Sequence, residues 1–118
     1  MSPELKRGDV VIVDLEPIRG SETGKTRPCV VIQNDIGNKY SPVTIVAVIT
    51  SQKEISKQYP TDVWISKKEG GLNKNSIVQC DQIRTITKER IKTNLGHFDL
   101  TIMKDVNKAL KISLGLSI

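Results

Sequence analysis

The sequence predicts a mainly β (α+β) fold: a small, twisted antiparallel sheet, a partly open barrel, with a C-terminal helix. Three observations carry that expectation. Apolar residues recur with a period of two, or in short Val/Ile-rich runs, over most of the 118 residues. Turn-forming residues interrupt those runs at Gly37-Asn38, Ser41-Pro42, Gly70-Gly71 and Asn73 to Asn75. Only after Asp99 does the spacing lengthen, with Ile102, Val106, Leu110 and Leu114 four residues apart.

Taken in order, strands are predicted at 9–15, 29–33, 44–49, 62–65, 76–79, 82–86 and 93–96. Gly8-Asp9 sets the turn into the first, and Pro28 pushes Arg27 into extended backbone just before the second. Asp99 is a good N-cap for the closing helix and Gly115 a good stop. Two long loops remain. Residues 16–26 are rich in Gly, Ser and Thr, and residues 51–61 hold Lys53, Lys57 and Tyr59 without strong periodicity. Loops of that length in a compact domain commonly carry function. The length fits one domain over 1–118, enough to bury roughly two-thirds of its unfolded surface.

Composition narrows the chemistry. A net charge of +5 suits a polyanionic partner, and a solvated basic face equally well. Part of the excess falls in Arg84, Lys88, Arg90 and Lys92. Cys29 and Cys80 each sit in an apolar stretch without Cys-x-x-Cys spacing, as buried reduced thiols do. One histidine and scattered acids supply no metal cluster, so no cofactor or metal is expected. No apolar run approaches the ~20 residues of a membrane span, and the polar N-terminus is unlike a signal peptide, so a cytoplasmic protein is expected. Tyr40, Tyr59, Trp64 and Phe98 are the only aromatic residues. They form no cluster on any predicted strand, which argues against a base-stacking platform on the sheet.

The stretch from Gly20 to Pro28, running into Cys29-Val30-Val31-Ile32-Gln33-Asn34-Asp35, is the most informative. Gly24-Lys25-Thr26 looks like the end of a phosphate-binding P-loop, but Arg19 stands where the first glycine is needed and a strand, not a helix, follows. What remains is a polar loop with a guanidinium fixed at its rim. Arg27 there suits a phosphate, or a surface ion pair. Thr50 ends an apolar strand at Thr50-Ser51-Gln52, where a hydroxyl serves as a cap or as a ligand contact.

These segments, with Arg7-Gly8-Asp9 opening the first strand and Asp81-Gln82-Ile83-Arg84-Thr85-Ile86 late in the chain, closely resemble the MazF/PemK family of toxin endoribonucleases. The resemblance spans about residues 6–116 and implies an SH3-like barrel of the CcdB/MazF kind. It implies the toxin of a type II toxin–antitoxin system, cutting single-stranded RNA (mRNA) at specific sequences without metal or ribosome, with the main cellular RNA target left open. The ends left would be 2′,3′-cyclic phosphate and 5′-hydroxyl. Residues matching Arg27 and Thr50 are the family's catalytic pair, and Glu22 matches a loop acid that serves some members. The base stays open: Arg27 is too basic to accept a proton, and His97 lies outside the matched motifs.

Polar contacts to RNA are expected from Ser21, Ser51 and Gln52, phosphate contacts from Lys25 and Arg84, and weaker ones from Lys53 and Lys57. The resemblance further implies a homodimer and a cognate antitoxin whose acidic, disordered C-terminal tail covers the RNA groove, with operator DNA bound only through that complex. The apolar tail from Ala109 to Ile118 cannot turn every large side chain to one core, as fits a docked C-terminus or, for part of it, a subunit interface. Two other readings stand beside this one. CcdB-like gyrase poisons share the fold, and a non-catalytic nucleic-acid-binding barrel would have the same charge and loops.

Overall fold

The computed structural model describes residues 4–15, 26–54 and 57–117. Six strands are described: β1 (Asp9–Asp14), β2 (Thr26–Val31), β3 (Val43–Ser51), β4 (Asp62–Ile65), β5 (Ser76–Thr87) and β6 (Ile91–His97). All their pairings are antiparallel, in one open sheet of order β4-β5-β3-β2-β1-β6. A short helix, α1 (Asp35–Tyr40), joins β2 to β3, and α2 (Leu100–Leu114) closes the described chain. The expected mainly β architecture with a C-terminal helix is what forms.

Alternation along the strands produces two cores. Val10, Val30, Ala47, Ile49, Val63, Ile65 and Val78 face Met103, Val106, Ala109 and Leu110 of α2, with Phe98 fully enclosed among them. The intervening residues Val11, Val13, Cys29, Val31, Val46 and Val48 turn to the other face and pack with Leu15 and Ile86. A period of two places each strand's odd and even residues on opposite faces, so a strand with both sets buried reads as a continuous apolar run.

Several expectations shift. The strands anticipated at 76–79 and 82–86 are one twelve-residue strand, β5, bent by a register shift opposite Ala47/Val48. β2 begins three residues earlier than anticipated, so Arg27 and Pro28 lie within it, opposite Val13 and Ile12. Gly37-Asn38, expected as a turn, belongs to α1. That helix is capped by the Asn34 side chain, which accepts from the Gly37 N–H at 2.8 Å. Asn38, 2% exposed, is held by Thr44 and Gln33 at 2.7 and 3.1 Å. Asp35 accepts from the Arg7 N–H at 2.6 Å, which lowers its pKa. The Gln33-Asn34-Asp35 signature is therefore structural here.

α2 starts at the Asp99 cap and stops at Gly115, as anticipated. Its buried face differs at the end. Residues four apart drift by about 40° each on a 3.6-residue turn, so Leu114 rotates out to 58% exposure.

Candidate active site

β2 and β3 pair as Cys29↔Val48, Val30↔Ala47 and Val31↔Val46. The same register carried two residues beyond that ladder sets Arg27 across from Thr50. Both residues line one cleft of about 450 Å³ at the end of the sheet, with Thr26, Pro28, Ile49, Ser51, Asn73, Lys74 and Ser76. Ile12, Leu72 and Leu95 give it an apolar floor. Consecutive residues of β2 and β3 line it, so it opens across the strand ends rather than on one face.

Arg27 is half-buried and Thr50 only 7% exposed. Among the described residues, neither the Arg27 guanidinium nor the Thr50 hydroxyl has a hydrogen-bond or ion-pair partner. A strand-end arginine with no described carboxylate beside it keeps its planar fork for an incoming anion. The surface ion pair that the sequence also allowed is not formed within the described residues.

Arg84 stands opposite Val46, on the same face of the sheet but outside the residues that line the cleft. Burial pushes the Cys29 thiol up to about 12, opposed by the positive charges of Arg84 and then Arg27. Both guanidinium groups thus act on one buried sulfur, on the face of the sheet that Thr50 shares by alternation. Cys80 is likewise raised to about 12, by burial and then by Asp62 and Asp81. Both cysteines are buried and unpaired. Among the described residues no three His, Cys, Asp or Glu side chains converge as a metal site.

The remaining candidates divide. Ser51 lines the cleft, its hydroxyl accepting from the Lys53 N–H at 3.2 Å. Gln52 uses its amide to clasp the carbonyls of Ile65 and Ser76 at 3.4 and 3.2 Å, which joins β4 to the end of β5. Lys53 and Arg84 are exposed. Glu22, Ser21 and Lys25 lie outside the described residues. His97 bonds Asp9 at 2.8 Å, at the other end of β1 from Val13, the partner of Arg27. Four residues of strand separate Asp9 from Val13, roughly 13 Å.

Sequence reasoning missed Asn73, Lys74 and Ser76. They reach the cleft because the turn at Glu69–Gly71 presses against β6, and Gly71 at φ +81° approaches the Leu95 backbone too closely for any Cβ. The Gly70-Gly71 pair was the available signal. Of the basic cluster, Lys88 donates to the Asn38 carbonyl and Arg90 to that of Asp14 at 3.2 Å, so both serve the fold.

Comparisons with known proteins place the chain in a family. A family model of the PemK-like, MazF-like toxins of type II toxin–antitoxin systems matches residues 6–114. An endoribonuclease MazF of Staphylococcus saprophyticus is 50% identical over 112 residues, covering 95% of this chain and 92% of that protein. A mycobacterial endoribonuclease structure superposes with TM-score 0.80 at 23% identity, covering 98% of this chain and 96% of that one. A second, of a mycobacterial endoribonuclease in complex with its cognate antitoxin, gives TM-score 0.80 at 24% identity, covering 97% and 98%.

Proposed function

Because the chain belongs to the PemK-like, MazF-like toxins of type II toxin–antitoxin systems and is an endoribonuclease, we propose that it cuts single-stranded RNA by metal-independent transesterification in the Arg27/Thr50 cleft. One observation carries the assignment: the β2–β3 register brings a guanidinium and a hydroxyl, neither engaged by another described residue, to the same cleft.

RNA supplies its own nucleophile. The 2′-oxygen attacks the adjacent phosphorus, the bond from phosphorus to the 5′-oxygen breaks, and the products are a 2′,3′-cyclic phosphate and a 5′-hydroxyl. One proton leaves the 2′-hydroxyl and one reaches the departing 5′-oxygen. In between, the phosphoryl oxygens gather negative charge. Arg27 stabilises that charge with its fork and Thr50 donates from the other side, a preorganised pair of the kind that supplies most electrostatic catalysis. Glu22, five residues before Arg27 in the sequence, is the proposed base. Ser51, Lys53 and Arg84, with Ser21, Lys25 and the Gln52 carbonyl, are the proposed RNA contacts.

The proposed setting draws on the family and on the surface. The toxin acts in the cytoplasm as a homodimer, inhibiting translation by cutting mRNA. A cognate antitoxin with an acidic tail covers the basic rim, and operator DNA is reached through that complex. In support of the dimer, Ile32, Ile45, Ile83, Leu110, Leu114 and Leu116 line an apolar groove beside α2, with Leu114 and Leu116 more than half exposed. The test is incubation of antitoxin-free protein with a long single-stranded RNA in EDTA, with Arg27→Ala alongside. Discrete cuts carrying cyclic-phosphate ends, absent in the variant, are expected. A folded dimer that cuts no sequence-diverse RNA would overturn the reading in favour of a gyrase-type target.

A further inference from the structure

β4 lies at one edge of the sheet, next to β5, which lies next to β3. Its four residues alternate clearly. Val63 and Ile65 are 7% and 2% exposed and enter the core against α2, whereas Trp64 between them is 43% exposed. The two-residue period turns its side chain to the opposite face. The register is specific about what it finds there: Trp64 pairs with Ile77, and Ile77 pairs with Thr50. Trp64, Ile77 and Thr50 thus form one row across three neighbouring strands, on one face, and the row continued over β2 reaches Arg27. At about 4.8 Å per strand, the Cα positions of Trp64 and Thr50 stand about 10 Å apart, with the fully buried Ile77 between them.

We propose that Trp64 is a nucleobase-stacking site for single-stranded RNA, taking a base that flanks the phosphate held by Arg27 and Thr50. The proposal rests on the RNA-cleaving reading and extends its substrate path to the edge of the sheet.

The surroundings favour a base over other occupants. Trp64 is the chain's one tryptophan. The loop entering β4 folds back, with the Tyr59 N–H donating to Asp62 at 2.9 Å. This sets Tyr59, 56% exposed, and Pro60 along the same edge groove. Asp62 shares the Trp64 face by alternation, so negative charge stands beside the ring. Phosphates are repelled from that spot and remain on the Arg27 side, while an uncharged base is not. Along the groove Asp62 and Asp105 outnumber Lys108, so an acidic peptide gains no attraction. Base–aromatic stacking tolerates any base and needs no hydrogen-bond partner.

The sole tryptophan is its own reporter. Full-length protein is titrated with a short RNA carrying a 2′-deoxy nucleotide at the mapped cut site, and indole fluorescence is recorded. Stacking predicts saturable quenching. Trp64→Ala should weaken binding by roughly 5–150-fold, the equivalent of the ~1–3 kcal/mol of one stacked base. Trp64→Phe should recover most of that loss. An abasic nucleotide at the responsible flank should weaken binding to the unaltered protein but add nothing to Trp64→Ala, which a merely structural role would not produce.

Cleavage by the unaltered protein with no quenching, equal affinity of Trp64→Ala and no abasic effect would overturn the stacking site while leaving the nuclease reading intact. Failure of the unaltered protein to cut RNA would remove both. Quenching by an acidic peptide and not by RNA would assign the edge to a protein partner and overturn the proposal.

Discussion

If Arg27 and Thr50 grip the same phosphate, their losses must not multiply. The perturbation is a double-mutant cycle of Arg27→Ala, Thr50→Val and the pair. Losing one preorganised charged donor costs about 10²–10³ in kcat, roughly 2.7–4 kcal/mol. Thr50→Val keeps the shape of a residue 7% exposed and removes one neutral donor, worth about 0.5–1.5 kcal/mol, or roughly 2–13-fold. Facing positions that share a partner couple by ~0.5–3 kcal/mol, whereas independent sites add to within ~0.5 kcal/mol. The double variant should therefore lose less than the product of the single losses. The assay is single-turnover cleavage of a fluorogenic RNA under saturating enzyme, with thermal unfolding of each variant as a control. Because Arg27 neutralises no described carboxylate, its removal should change stability by no more than about 0.5 kcal/mol. Additive losses would refute the shared-phosphate geometry, and near-normal cleavage by folded Arg27→Ala would refute the site.

Two further predictions concern the frame around the cleft. Gly71→Ala places a Cβ 2.1 Å from the Leu95 carbonyl oxygen at φ +81°, while Gly115→Ala at φ +70° meets nothing within 4 Å. Gly115→Ala should cost only the ~1–2 kcal/mol of left-handed strain, and Gly71→Ala clearly more, with lower cleavage as Asn73 and Lys74 shift; equal losses in denaturant titrations would contradict the close contact. Cys29 and Cys80, both raised to about 12 from 9.0, ionise first in the unfolded chain, which then binds fewer protons than the folded one. Their stabilisation is full below pH 9 and is lost as pH rises through about 12; a Cys29→Ala/Cys80→Ala protein should show a shallower alkaline decline, and an unchanged slope in urea midpoints against pH would reject that origin.

What could be read from the sequence was whatever local spacing determines. Asp62 to Ile65 was legible because burial alternates cleanly there, and α2 because its cap and stop are local. α1 was not, since six residues show no helical period and depend on the Asn34 cap and the enclosed Asn38 amide. Asp81 and Gln82 look like a break because they are polar and exposed, yet they lie inside a bent strand. At the site, Arg27 and Thr50 were legible as strand-end residues beside apolar runs. Asn73, Lys74 and Ser76 were not, because they reach the cleft through a long-range contact between Gly71 and Leu95. The cluster of Arg84, Lys88, Arg90 and Lys92 looked like one patch, but Lys88 and Arg90 are spent on backbone carbonyls.

The bend in β5 explains how Arg84 comes to the face of the sheet that carries Cys29 and Arg27. Val48 pairs with Gln79, but the next residue, Ala47, pairs with Ile83. Without interruption Ala47 would meet Cys80, so the register slips by three residues. An odd slip exchanges the two faces of a strand. Continued from Gln79, Arg84 would turn with Cys80 towards α2, where an unpaired guanidinium would be costly to bury. After the slip Arg84 stands opposite Val46 and Ile86 opposite Thr44, which returns Ile86 to its core and turns the guanidinium to the face of Cys29 and Arg27. The bulge thus carries one positive charge to the Arg27 face while keeping both cores apolar. Arg84→Ala should weaken RNA binding, lower the dependence of log affinity on log salt by about one, and leave single-turnover cleavage at saturation within a few-fold. An unchanged salt slope would mean that this guanidinium holds no phosphate.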